Sequence, residues 1–271
     1  MFERRRRAGG GAAAVLAIAV ILAAAVVVGG AMLVPGRAAG EQVAAQVIWH
    51  NMPILALQKG HYQAAVTVGE AKRHGDLGVG AMADLDGEVI FLDGKLYRYG
   101  QDGTVAEQPD SARLSFAGVS GFTALPKPMQ LPAGTTFADL PKVVDPTLPT
   151  VNAFYVVRVR GRFTTVSART FPRQVQPFPP LSAVTPVIFP LQDVEGTMVG
   201  FRSPQFACAL TTPAYHLHFL STDRKQGGHV LDFKVASAAS IEVQRVNGFT
   251  FDLPTDEAFD RMDLSAPIVC K

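Results

Sequence analysis

Tyr215-His216-Leu217-His218-Phe219, followed by Gly227-Gly228-His229, decides the reading of this chain. The 271 residues include six histidines, and three of them fall between 216 and 229. On a β-strand, positions i and i+2 project from the same face, so His216 and His218 aim their rings at one point. Gly227-Gly228 reads as a turn that sends the chain back and lays His229 beside them on the next strand. Three imidazoles converging from a hairpin, with no fourth protein ligand nearby, are the ligand set of a catalytic zinc site with open positions. The same spacing also suits polar residues on a half-buried strand, and spacing alone does not separate the two.

Outward from the hairpin the chain is β-rich. Residues 197–203, 215–221, 229–235, 241–246 and 249–253 read as successive strands, and 255–262 as a short closing helix with Thr255 at its N-cap. Upstream, Asp86-Gly87, Asp93-Gly94 and Asp102-Gly103 separate β-like runs at 88–92 and 95–99, the pattern of a meander. Residues 114–125 add a strand. Residues 68–74 look helical, with Gly75 at the C-terminal end, and 136–144 form a second short helix. Residues 154–159 and 163–168 suggest a hairpin around Arg160-Gly161. The proline-rich stretch 172–190 reads as an extended crossing segment. A second proline cluster, 141–149, is a candidate boundary between residues 41–145 and 146–271.

The first 40 residues differ from the rest. Arg4 to Arg7 precede an uncharged stretch, Gly11 to Val34, that as a helix would be roughly 36 Å long. Charge asymmetry leaves the arginines in the cytoplasm and the remainder outside. Residues 1–40 are therefore an export signal, with a small-residue cleavage site at Ala38-Ala39-Gly40, or an N-terminal membrane anchor. Either way residues 41–271 are periplasmic or secreted. Residues 1–40 hold five of the 25 basic residues and one of the 23 acidic ones, so the remainder carries a formal charge of −2. That balance leaves no nucleic-acid footprint. Cys208 and Cys270 are the only cysteines. In an oxidising compartment they can pair, and two separate thiols fit the sequence equally well.

Dispersed segments in a fixed order then resemble one family. They are His-Gly-Asp-Leu-Gly-Val-Gly at 74–80, Leu-Asp-Gly-Glu at 85–88 and Leu-Asp-Gly-Lys-Leu-Tyr at 92–97. Further on come Asn152-Ala153-Phe154-Tyr155, Arg169-Thr170, Pro177-Phe178-Pro179-Pro180-Leu181 and Gly196-Thr197-Met198-Val199-Gly200-Phe201. The two histidine segments, with Leu231-Asp232 and Leu253-Pro254, complete the set. Together they resemble the α-acetolactate decarboxylases. The resemblance implies a β-dominated α+β protein of two β-rich halves, a mixed sheet plus an antiparallel barrel-like sheet, with a few short helices. It also implies a homodimer.

For the site, the resemblance implies zinc on His216, His218 and His229, and 2-acetolactate as the small-molecule substrate. Zinc chelated by the substrate's hydroxyl and ketone would act as a Lewis acid for the electrons left when carbon dioxide departs. Arg169 matches the arginine that binds the carboxylate, a task suited to its planar fork. Glu88 matches the acid that protonates one face to give (R)-acetoin. Without the resemblance, Arg169 would read as a surface residue at a strand end and Glu88 as an exposed residue after a turn. His74 reads as a helix-end residue. His50 and His61 lack metal-like spacing, and Asp232 falls on the opposite strand face from His229.

The resemblance departs at two places. The family carries a threonine seven positions before the glutamate, and here that position is Ala81. The family also has a C-terminal glutamate that reaches back to the site. Asp256, Glu257 and Asp260 are the nearest acidic residues here, and none matches it. Two alternatives follow: an exported zinc-containing binding protein with reduced or lost turnover, or a decarboxylase of another 2-hydroxy-3-oxo acid.

Overall fold

A computed structural model describes residues 47–265. The export or anchor segment and Cys270 lie outside the described residues, within which no helix is long and apolar enough to cross a membrane. The chain begins with β1 (Val47–His50), α1 (Ile54–Gln58), β2 (Val66–Thr67) and α2 (Val68–Lys72). A run of strands follows: β3 (Leu77–Met82), β4 (Glu88–Leu92), β5 (Lys95–Tyr99), β6 (Val105–Glu107), β7 (Arg113–Ser120) and β8 (Met129–Leu131). After α3 (Leu140–Val143) come two long strands, β9 (Phe154–Thr170) and β10 (Val187–Ser203). The chain then forms β11 (Ala214–Ser221), β12 (Gly227–Val235), β13 (Ala239–Val246), β14 (Gly248–Phe251) and α4 (Glu257–Asp260).

These strands make two sheets. The first runs β14-β1-β7-β3-β4-β5-β6, with β2 on β7, and is mixed because β14 lies parallel to β1. The second runs β10-β11-β12-β9-β13-β8 and is antiparallel. A further pairing of β9 with β10 closes β9, β10, β11 and β12 into a ring, giving the sheet its barrel-like form. The expected fold class is the observed one. The two sheets do not divide at 145/146, however. β8 joins the second sheet and β14 the first, and the described residues all belong to one compact unit, Val43–Lys271. The proline cluster is a connection tied to the barrel: Asp145 accepts hydrogen bonds from Arg202 and Tyr215.

The meander is present, with the turn at Asp93-Gly94 joining β4 and β5 in register Leu92↔Lys95 to Glu88↔Tyr99. The expected hairpin around Arg160-Gly161 is absent. β9 runs straight through it for 17 residues. Gly161 serves close approach here: a Cβ on it would lie 2.6 Å from the Cβ of Ala239 on β13. The crossing segment also ends earlier than expected, because β10 begins at Val187 and includes Pro190. Along Val187–Glu195 the strand pairs only with β9, and β11 joins from Gly196. A missing N–H is tolerated on such an unpaired edge.

Helix ends follow their side chains. A capping box between Thr67 and Glu70 starts α2. The helix is shorter than expected, and His74 beyond it stacks on Trp49 at 4.1 Å with the rings nearly parallel. The N-cap of α4 is Asp256 and not Thr255, since the Asp256 carboxylate accepts from Phe259 N–H at 3.0 Å.

The sheets pack face to face. Ile48, Leu77, Val79 and Ile90 of the first meet Val156, Val199, Phe201 and Leu220 of the second. A separate cluster, including Val157, Phe163, Met198, Leu217, Phe219 and Phe233, fills the barrel. The other face of the first sheet is covered by α2 through Val68 and Ala71. With both faces buried, β3 and β4 read as nearly continuous apolar runs. Glu88, at the start of β4, is the exception.

Candidate metal centre

Two adjacent strands set the histidines in one row, and a third brings Arg169 beside them. His216 and His218 lie two apart on β11. The register pairs His218 with His229 on β12, and His229 with Arg169 on β9. One nitrogen from each of His216, His218 and His229 lies within 4.8 Å of the others. The turn that produces this register is not Gly227-Gly228. The chain reverses over 222–226, where Ser221 N–H donates to Gln226 O and Arg224 N–H to Ser221 O. Both glycines already belong to β12. They leave space: a Cβ on Gly227 would lie 2.2 Å from the Tyr99 ring, and one on Gly228 2.7 Å from Arg169 O.

The hydrogen bonds assign the nitrogens. His218 Nδ1 lies 2.7 Å from the Val89 carbonyl, which only accepts, so Nδ1 carries the proton and Nε2 is the free donor atom. His229 Nδ1 is 3.2 Å from His218 Nε2. Two nitrogens each about 2.0–2.1 Å from a tetrahedral zinc would stand about 3.3 Å apart, so the pair fits a shared ion. Glu88 closes the group from the other sheet, with Oε2 3.7 Å from His218 Nε2 and Oε1 3.9 Å from His229 Nδ1.

Burial fixes the charge states. It lowers His216 from 6.5 to about 4, with the Arg169 charge adding to the effect. Burial also holds His218 and His229 well below the usual range, helped by the neighbouring imidazoles. The three rings are therefore neutral, the form that binds a metal. Burial pushes the Glu88 carboxyl up to about 7 against the opposing pull of Arg169. Arg169 itself has a buried Nε with no hydrogen-bond partner, and its guanidinium lies 4.7 Å over the Phe171 ring. A half-buried cation with an unused donor suits an anionic ligand.

These groups line one cavity of about 210 Å³. Its polar wall includes Glu88, Arg169 and the three histidines, with Gln58 and Thr212, and its apolar wall includes Ile54, Leu57, Leu85, Phe116, Phe171 and Leu181. All five residues expected from the sequence thus meet in one place. Ala81 lines the cavity too, directly across from Glu88 in the β3–β4 register. Asp256, Glu257 and Asp260 do not line it, and Asp256 is engaged by His61 Nε2 at 3.0 Å. Asp232 faces away and accepts from Phe137 N–H. Sequence reasoning missed the Val89 carbonyl, which has no side-chain signal, and Thr212, which lines the cavity; Thr170 figured only as part of the Arg169-Thr170 segment.

His50 is completely buried among Phe116, Phe201 and Phe249 with neither ring nitrogen bonded. Burial, then His216, lowers it from 6.5 to about 3. In the unfolded chain His50, His216, His218 and His229 each take a proton near their ordinary value. Between the folded and unfolded values the unfolded state binds more protons, so stability rises with pH and is lost on acidification. Glu88, raised when folded, acts in the opposite sense, one group against four. Each unopposed histidine adds about 1.4 kcal/mol per pH unit to the slope. Melts of the chelated protein are therefore expected to show Tm falling steadily from about pH 7 to about pH 5. An unchanged Tm would mean that the rings are not buried as neutral groups.

Cys208 is disulfide-bonded. Of the two readings of the cysteines, the oxidised one holds for it.

Comparison with known proteins places this geometry. Residues 48–266 match the model of the family described as Alpha-acetolactate decarboxylase. An alpha-acetolactate decarboxylase of Brevibacillus brevis is 34% identical over 229 residues, covering 84% of this chain and 80% of that protein. One from Methylococcus capsulatus is 36% identical over 220 residues, covering 80% and 84%. The crystal structure of alpha-acetolactate decarboxylase from Bacillus subtilis strain 168 superposes with a TM-score of 0.78 at 32% identity, covering 82% of this chain and 94% of that one. With the family match spanning the two sheets and every residue of the histidine row, the chain belongs to the alpha-acetolactate decarboxylase family of carboxy-lyases.

Proposed function

We propose that this protein is a zinc-dependent decarboxylase that converts 2-acetolactate to (R)-acetoin and carbon dioxide. The observation that carries the reading is the three-histidine row with an unpartnered arginine and a buried carboxyl on one small cavity. His216, His218 and His229 would hold the metal, which when bound supplies Lewis acidity toward the substrate oxygens. The Arg169 fork binds the substrate carboxylate, and the apolar wall receives the methyl groups. When the C–C bond to that carboxylate breaks, carbon dioxide leaves and the electron pair stays on the remaining carbon. Glu88 delivers a proton to one face of that carbon and so sets the configuration of the product. The His218 Nδ1–H bond to Val89 O keeps its ring from turning during this sequence.

Ala81 presents no hydroxyl opposite Glu88, so the reading requires that turnover not depend on one there. Placement outside the cytoplasm belongs to the same proposal and is supported by the arginine-led apolar segment and by the disulfide at Cys208. Pairing into a homodimer rests on the family resemblance.

The test is carbon dioxide and acetoin release from racemic acetolactate by the purified protein, with zinc and after chelation. The expected result is zinc-dependent release of (R)-acetoin that stops on chelation and returns when zinc is restored. Protein carrying its full complement of zinc but forming no acetoin would overturn the reading. It would leave the binding protein of the same fold, or a decarboxylase of another 2-hydroxy-3-oxo acid.

A further inference from the structure

The site is assembled from two sheets, and one hydroxyl joins them beside it. Thr170 follows Arg169 at the end of β9 and is fully buried. Successive residues on a strand face opposite ways. Arg169 lines the cavity, whereas Thr170 reaches the first sheet. Its Oγ–H donates to Tyr99 O at 2.7 Å, and its Oγ accepts from Glu88 N–H at 2.9 Å. Glu88 and Tyr99 are partners at the far end of the β4–β5 hairpin.

Counting back from a two-residue turn, the pairs 92/95, 90/97 and 88/99 are the hydrogen-bonded ones. At the last of these, Glu88↔Tyr99, the Thr170 hydroxyl adds a bridge across the pair, accepting from the Glu88 N–H and donating to the Tyr99 carbonyl. One residue further along β4, His218 Nδ1–H donates to Val89 O. The start of β4 is thus tied to the second sheet by two hydrogen bonds, one from the strand of Arg169 and one from a histidine of the row.

We infer that Thr170 is a positioning residue whose hydroxyl fixes the backbone of Glu88 against the strand carrying Arg169, so that carboxyl and guanidinium face one substrate. The inference rests on the roles given above to Glu88 and Arg169. Residue type supports it. Valine would fill the same volume but would remove both hydroxyl bonds, the one from the Glu88 N–H and the one to the Tyr99 carbonyl, whereas serine would keep them.

The test compares Thr170→Val and Thr170→Ser with the unaltered full-length protein, all loaded with zinc. Thr170→Val is expected to lose about 10- to 100-fold in kcat, the scale set by a displacement of about 1 Å in a catalytic group. It is expected to keep its zinc and to give acetoin of lower enantiomeric excess. Thr170→Ser is expected to restore rate and stereochemistry. In metal-free protein, exchange of the Glu88 amide hydrogen should accelerate in the Val variant and stay slow in the Ser variant. Where the Val variant does not fold, Thr170→Ala removes the hydroxyl with less bulk and is read in the same way.

A folded hydroxyl-free variant with unchanged kcat and enantiomeric excess would overturn the inference, even if its Tm were lower. If the unaltered protein forms no acetoin, the proposed function fails instead, and amide exchange at Glu88 still decides whether Thr170 fixes that strand.

Discussion

His218→Ala is expected to strip the metal and remove activity by more than about a thousandfold, beyond the 10²–10³ lost when one charge-stabilising donor is deleted. His218 is the centre of the row. It is fully buried, it stands in register with His229, and its Nε2 is the atom nearest both His229 Nδ1 and Glu88. Alanine leaves two imidazoles, too few to close a structural or catalytic zinc site. It also removes the hydrogen bond that His218 gives the Val89 carbonyl at the seam between the sheets. Zinc content by atomic absorption and acetoin release should fall together. His74→Ala is the matching control, because His74 stacks on Trp49 and does not line the cavity. A His218→Ala protein that kept zinc, or that kept activity without it, would remove the row from the chemistry.

Glu88→Gln should retain zinc and lose about 10²–10⁴ in kcat, the usual contribution of a positioned proton donor. The substitution keeps size and hydrogen-bonding capacity, so packing is not the variable. A carboxyl raised to about 7 by burial holds a proton near neutral pH and can give it up, which an amide cannot do. A bound dication pulls that value down while burial pushes it up, and Arg169 adds to the pull. The clearest readout is stereochemical. Protonation from solvent has no preferred face, so residual acetoin should drift toward the racemate. Full activity in the Gln variant would assign the proton to another group.

Much of the fold was legible because it is written locally. Asp93-Gly94 between two β-like runs specifies a tight hairpin, and β4 and β5 occupy the expected residues. Alternation at His216 and His218 places two rings on one strand face, a property of the backbone that needs no partner. Glycine was harder to read, because a turn and a close approach both call for a missing Cβ. Arg160-Gly161 and Gly227-Gly228 resemble turns in sequence, yet both lie inside strands, opposite Ala239 in one case and opposite Tyr99 and Arg169 in the other. Pro190 likewise looked like a barrier to a strand, and only the pairing of β10 shows that its edge is free there.

By itself the sequence determined which residue types were available and which were neighbours along a strand: the His-x-His pair, the Arg169-Thr170 step, and the Glu88 that opens a hairpin arm. Tertiary structure alone decided that they share a cavity. Glu88 and His218 are 130 positions apart and belong to different sheets, and they meet because the apolar faces of those sheets pack together. It also decided their chemistry. Burial makes the histidines neutral and raises the glutamate, and burial is a property of the surroundings, not of the residue. The hydroxyl of Thr170, unremarkable in sequence, acquires its place between Glu88 and Tyr99 only when β9 crosses the end of the first sheet.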